Sequence, residues 1–324
     1  MDHLRAILIF LVVFGHFLEV PPADCPRLYR AIYAFHIPAL LFLSGRFAHF
    51  SWRRIRKLLL LYAVFQVLYR LFDWLILGQP QKLTRWLFVP YWHLWYLILL
   101  AGCLALVPLL EKLPQKLRLP IVLVSFLTAA FWGFAPISGY WFSFGRFLSF
   151  FPFFLTGLYC KNVRIPSGKR RFLLLLPAAV LSAAGTWLLL QWKAIPNALL
   201  FGAVGFRSLG AGFGQKLFLL VLASLWVCSL LLFPWPPHHL PFWSSIGKNT
   251  LPLYLLHGFV VRSAEHWSLF SRLGTGTLLP ALASSLLLTL LFAHPLPKCR
   301  KTAAFFSRTK GKKSLFSPNA EKKD

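Results

Sequence analysis

Charge is scarce in this chain of 324 residues. Only 13% of it is Asp, Glu, Lys or Arg against 58% apolar residues, a balance outside that of an ordinary globular domain. Carboxylates are the rarest charges, eight against 35 basic side chains, and none lies at the middle of an apolar run. The five cysteines, at positions 25, 103, 160, 228 and 299, are dispersed, so neither a disulfide framework nor a metal-ligand spacing follows and no metal is expected. The first apolar run has no basic leader and no small-residue cleavage site, which argues against a cleavable signal peptide. No internal repeat of the inverted-repeat transporter kind is visible by inspection.

What the chain has in abundance is apolar length. Segments of roughly 17 to 20 residues recur, enough for a helix to cross about 30 Å of hydrocarbon and too long for barrel strands. The expected fold class is therefore all-α, a polytopic membrane bundle of about ten transmembrane helices. The spans are expected at 4–18, 31–47, 58–77, 92–110, 119–134, 147–159, 172–190, 217–233, 245–261 and 278–292. A net charge of +27 would suggest nucleic acid in a soluble protein, so its placement along the chain decides its meaning. With the N-terminus inside, the inner connections and the tail hold 23 of the 35 basic residues and the outer connections ten. That bias follows the positive-inside rule and implies that both termini are cytoplasmic. The charge reads as topology and contact with anionic lipid in a multi-pass protein of the cell membrane, not as a nucleic-acid surface. Residues 298–324, with KGKK and EKKD, read as a basic, disordered cytoplasmic tail behind a membrane domain over 1–297.

The stretch LRAILIFLVVFGHF, residues 4–17, holds an arginine near one end and a histidine near the other. Eleven positions separate Arg5 from His16, which on an α-helix is about three turns plus roughly 20° and a rise of about 16 Å. Both side chains therefore lie on one face at different depths. A basic residue at the inner end of a first span is what topology asks for, but a histidine within a span is costly and points to a partner or a wet path. His36 in FHIPALLFLSG and His257 in IGKNTLPLYLLHGF fall at a matching outer depth, and His93 in YWHLWYL marks the outer mouth of the fourth span. Four histidines at one level point to a polar chamber, and histidine is the side chain suited to moving protons near neutral pH. A cation inside and a proton-transfer group further out, on one helical face, suit a long anionic substrate lying along the helix. Acyl-coenzyme A has that shape, with phosphates at one end and a thioester at the tip of a flexible arm.

These pieces, taken in order, resemble the acyltransferase 3 family of integral membrane O-acyltransferases, and most closely its fucose 4-O-acetylase-like branch. The matching stretches are DHLRAILIFLVVFGH at 2–16, which carries an Arg-x10-His motif, FHIPALLFLSG at 35–45, HLWYLILL at 93–100, FFPFFLTGLY at 150–159 and IGKNTLPLYLLH at 246–257. The resemblance implies ten spans, acetyl-CoA or a related acyl-CoA as cytoplasmic donor, and transfer to a hydroxyl of an extracytoplasmic glycan or lipid-linked sugar. It also implies that His16 is catalytic and Arg5 essential.

On this reading His16 serves as general base, or as the carrier of an acyl-histidine, with its orienting carboxylate coming from Glu19, Asp24 or Asp73. His36, His257, His93 and Glu19 form the candidate acceptor or oxyanion site. Arg5, Arg53, Arg54, Lys248 and Asn249 form the candidate grip on the donor phosphates, the last two because they open a helix inside the matched GKNT piece. For the loop arginines, topology and contact with anionic lipid are the stronger reading. Trp92, Trp95, Trp141 and Tyr140 fit either sugar stacking or an interfacial aromatic belt. Ser44 and Gly45 read as small residues for close helix packing. A competing reading is a secondary transporter or flippase of a lipid-linked sugar with His16 as proton relay, and the lack of a midspan carboxylate counts against it.

Overall fold

The computed structural model describes residues 1–134, 140–206, 211–235, 245–247 and 250–293. Among the described residues there are helices and no strands. The principal helices are α1 (Asp2–Phe17), α2 (Pro26–Tyr33), α3 (His36–Arg46), α4 (Trp52–Leu75), α5 (Leu83–Phe88), α6 (Trp95–Glu111) and α7 (Gln115–Phe131). They continue with α8 (Phe144–Tyr159), α9 (Gly168–Gln191), α10 (Asn197–Leu200), α11 (Phe213–Leu232), α12 (Thr250–His266), α13 (Leu269–Leu273) and α14 (Leu278–Ala293). Five helical segments are long and apolar enough to cross a membrane: Pro26–Arg46, Trp52–Leu75, Gln115–Phe134, Gly168–Gln191 and Phe213–Leu232. The other expected spans also fall on helix, in shorter pieces, and residues 248 and 249 of the 245–261 segment lie outside the described residues, as does the expected tail at 298–324.

Local sequence explains where the helices begin and break. The Ser51 side chain accepts the Arg54 backbone N–H at 3.3 Å and starts α4. Pro26 opens α2 at a position where a missing N–H costs nothing. The expected segment 31–47 falls on one crossing, Pro26–Arg46, that is interrupted at Ala34 and Phe35, because Pro38 has no N–H to give the carbonyl of Ala34 and its ring crowds that carbonyl. The chain bends between Tyr33 and His36, and both side chains turn toward the centre of the bundle as a result.

α1 is the axis. It packs against α3, α12 and α14, and its Leu4, Leu8, Val13 and Phe17 are fully enclosed. A helix buried on nearly every side belongs to the core of a bundle. The outer helices show the opposite character: Leu60 of α4, Leu119 of α7 and Leu176 of α9 are each about two-thirds exposed, as lipid-facing side chains are. The closest helix pair is α3 with α8. A Cβ at Gly45 would strike the Phe154 carbonyl, and one at Gly157 would strike the Phe42 carbonyl, so the two backbones touch because both residues lack a side chain. Gly45 is thus a packing residue, and the neighbouring Ser44 hydroxyl pairs with the Tyr96 hydroxyl at 3.1 Å.

Candidate functional site

The direction of α1 sets apart the two ends of the bundle at which site residues are expected: Arg5 near its start and His16 in its last turn. At the His16 end three segments converge. The turn before α6 brings Trp92 and His93, α12 brings His257, and α2 brings Tyr33. The His16 ring lies with its centroid 4.3 Å from Trp92, 5.4 Å from His257 and 6.3 Å from His93, while His93 and His257 are 4.7 Å apart. Two glycines make this crowding possible. A Cβ at Gly258 would collide with His93 and Tyr69, and one at Gly15 would press on the Tyr33 ring at 3.0 Å.

Glu19 and Tyr33 hold one side of His16. The Tyr33 hydroxyl lies 3.0 Å from His16 Nδ1 and donates to Glu19 Oε1, whose oxygen is 3.5 Å from the same ring nitrogen. A phenol has one proton, so when Tyr33 gives it to Glu19 its oxygen accepts from His16 Nδ1–H. That tautomer leaves the lone pair on Nε2, on the opposite side of the ring. Burial raises the Glu19 pKa, but the hydrogen bond and charge of His16, with the Tyr33 and Tyr29 hydroxyls, outweigh it and hold the carboxyl below its ordinary value. Of the three carboxylates expected as partners, the structure brings only Glu19 to His16. Asp24 accepts from the Thr277 backbone N–H at 3.0 Å, which lowers its pKa, and Asp73 accepts from Tyr91 at 2.9 Å.

The other histidines are buried and directed. His36 Nδ1 lies 2.8 Å from the Ile32 carbonyl and His257 Nδ1 3.1 Å from the Leu253 carbonyl, so each donates there and keeps a lone pair on Nε2. His257 is fully enclosed, His93 is 3% exposed, and neither His257 Nε2 nor either nitrogen of His93 has a hydrogen-bond partner among the described residues. Leaving such groups unpaired costs on the order of 1–3 kcal/mol each, which a packed core rarely tolerates. His36 joins the cluster through Tyr33, its ring 4.8 Å away.

His16, Glu19, Tyr33, His36 and His93 border a cavity of about 490 Å³, room for a sugar-sized ligand, whose wall also includes Trp92, Trp95, Tyr96 and Tyr140; His257, expected at the acceptor site, is fully enclosed behind them and does not line it. Trp141 is half exposed and does not line it. One lining residue had counted only as an outer-loop charge: Arg146 stands in the first turn of α8, 8% exposed, its guanidinium over Trp95 at 4.7 Å and over Tyr140 at 5.0 Å. No sequence signal separates it from a topological arginine, because only the fold decides whether a residue at a helix start turns in or out.

Arg5 is not in the cavity. It pairs with Asp2 at 3.3 Å and stacks over Phe47 at 4.5 Å at the other end of α1. Arg54 lies within electrostatic reach of Arg5, Arg53 is exposed, and Lys248 and Asn249 lie outside the described residues. Tyr96 links the two ends, since it lines the cavity and feels the charge of both Arg5 and Arg54.

Residues 1–294 match the acyltransferase 3 family, whose description is an acyltransferase domain. No curated protein and no solved structure matches the chain.

Proposed function

The chain belongs to the acyltransferase 3 family, and from that premise we propose that it moves an acetyl group from acetyl-CoA to a hydroxyl of a glycan or lipid-linked sugar. The observation that carries the reading is His16 on the wall of a sugar-sized cavity, its Nδ1 held by Tyr33 and Glu19, which border the same cavity. In this mechanism the acceptor hydroxyl gives its proton to His16 Nε2 as its oxygen attacks the thioester carbonyl. The carbon–sulfur bond then breaks, and the coenzyme A thiolate recovers the proton from His16. Tyr33 and Glu19 hold Nδ1–H throughout and favour the imidazolium that forms. A base positioned in this way contributes about 10²- to 10⁴-fold in rate.

His36 is suited to hold the acceptor, because a histidine whose Nδ1–H is spent on a carbonyl offers only a lone pair to a hydroxyl, whereas His257, enclosed against His16 and His93, acts through those rings. The donor binds at the opposite end, where Arg5, Arg53 and Arg54 favour phosphates, and its arm reaches past Tyr96 over the rise of about 16 Å that separates Arg5 from His16. This arrangement goes with ten membrane crossings and both termini in the cytoplasm, supported by the basic excess on the Arg5 side.

The test is transfer of radiolabelled acetyl from acetyl-CoA to cell-envelope glycan in membranes carrying wild-type protein or His16→Ala at matched expression. Label that requires His16 supports the reading. Equal label in both removes His16 from the chemistry, and label in neither shifts the protein toward other donors or toward transport.

A further inference from the structure

Four arginines border the cavity at the His16 end: Arg70, Arg85, Arg146 and Arg262. Three have their charge or their terminal nitrogens answered. Arg262 pairs with Asp73 at 3.8 Å and with Glu265, and donates to Gln79 at 3.0 Å. Arg70 lies one turn from Asp73, feels its charge, and donates to the carbonyls of Arg85 and Val89. Arg85 reaches Gln81 at 3.5 Å. Arg146 differs from all of them. It donates through Nε alone, to the Phe201 carbonyl at 3.3 Å, and makes no ion pair among the described residues. Its two terminal nitrogens carry four N–H groups for which the described residues supply no acceptor. A guanidinium that is more than nine-tenths buried and without a carboxylate is costly to keep charged, and it cannot relieve the cost by losing its proton.

The position of Arg146 narrows what it serves. Its contacts are Trp95, Tyr140 and the Phe201 carbonyl, whereas the His16 ring is surrounded by Tyr33, Trp92, His93 and His257. The cation thus stands beside the histidine cluster and not within it: Tyr33, which holds His16, is in its electrostatic reach, and the flat faces of Trp95 and Tyr140 flank it. It is also at the end of the bundle opposite Arg5, so the donor phosphates cannot be its ligand under the arrangement above. We infer that Arg146, between Trp95 and Tyr140, forms an anion subsite in this cavity, and that the acceptor is an acidic sugar. Its carboxylate or phosphate lies on the guanidinium while a separate hydroxyl of the same molecule faces His16. The planar fork of an arginine fits either oxyanion. The identity of the acceptor class rests on the acyltransferase reading; the anion subsite itself does not.

The experiment is equilibrium binding to the purified full-length protein in neutral detergent, without acyl donor. The probes are a galacturonate trisaccharide and its uncharged methyl ester. Wild type is expected to prefer the acid by about 10- to 100-fold, and Arg146→Gln to lose that preference while Arg146→Lys keeps part of it. Equal affinity of wild type for the two probes overturns the subsite, and this arm needs no variant to fold. Preference retained in Arg146→Gln overturns the assignment to Arg146. A second arm compares acetyl-CoA with succinyl-CoA in the transfer assay. If wild type prefers the succinyl donor and Arg146→Gln does not, the anion arrives on the acyl group and the acidic acceptor is wrong. Absence of any transfer would defeat the acyltransferase mechanism alone, since binding of the acid is read without it.

Discussion

At the His16 end of the bundle, His93 and His257 are enclosed to within a few per cent, ring packs on ring, and glycines clear the space in which they meet. At the Arg5 end, Arg5 keeps a third of its side chain exposed, its acidic partner among the described residues is Asp2, three residues away on the same helix, and Arg53 is open to its surroundings. Under the proposed mechanism, the contrast teaches how one short helix would serve two demands. Proton transfer needs a group fixed to within a fraction of an ångström, which only a packed wall supplies. Attraction of a multiply charged ligand needs no such precision and works through field strength, which exposed arginines supply at the cost of screening by salt.

The comparison can be broken or sharpened by substitution. The largest effect is predicted for His16→Ala, which should lower transfer by about 10²- to 10⁴-fold with little change in donor affinity. A loss seen in donor KM alone would erase the distinction between the ends. Next is Gly157→Leu, in the last turn of α8 where it meets the end of α3, which forces the backbones apart and should destabilise the protein by about 1–3 kcal/mol. Thermal unfolding in detergent reads this, and an unchanged midpoint would show that the close approach is not a constraint. Glu19→Gln should lower kcat about tenfold, because the His16 tautomer loses its charged anchor.

The same variant tests the pH sign. A carboxyl whose pKa is lowered by folding adds stability above its ordinary value of about 4.3, and that contribution is lost as pH falls through the lowered value. Wild type should therefore lose more stability than Glu19→Gln between neutral pH and about pH 3. Parallel losses would remove Glu19 from a charged pair. The smallest effect is predicted for Arg53→Ala, a rise of about twofold in donor KM that vanishes at high salt, as expected of an exposed charge. A large, salt-independent effect would mean that the Arg5 end is also a built site.

Much of this layout is visible in the residues alone, and the exceptions have physical reasons. Helical rotation places Arg5 and His16 on one face, and depth along each apolar segment places four histidines at one end. Which of them touch depends on the turn carrying Trp92 and His93, and turn conformation is not written in periodicity. The partner of His16 was open among three carboxylates because each sits at a segment end, and it is the course of the chain after α1 that carries Glu19 back beside Tyr33. Tyr33 itself lies within an apolar run, where a tyrosine looks like packing; the break imposed by Pro38 is the clue that it turns inward. Arg146 was hidden for a different reason. A basic residue at a helix boundary satisfies the topology rule whichever way it points, so the rule conceals an inward one.

The lengths of the helices carry a last consequence. α1 and α8 each have 16 residues, about 24 Å of helix, whereas α4 and α9 have 24, about 36 Å. The centre is thus shorter than the roughly 30 Å of hydrocarbon in a typical bilayer, and part of the rim is longer. Hydrophobic mismatch then falls on the rim. In a thicker membrane α4 and α9 stand more upright, in a thinner one they tilt, and the span from Arg5 to His16 keeps its length in both.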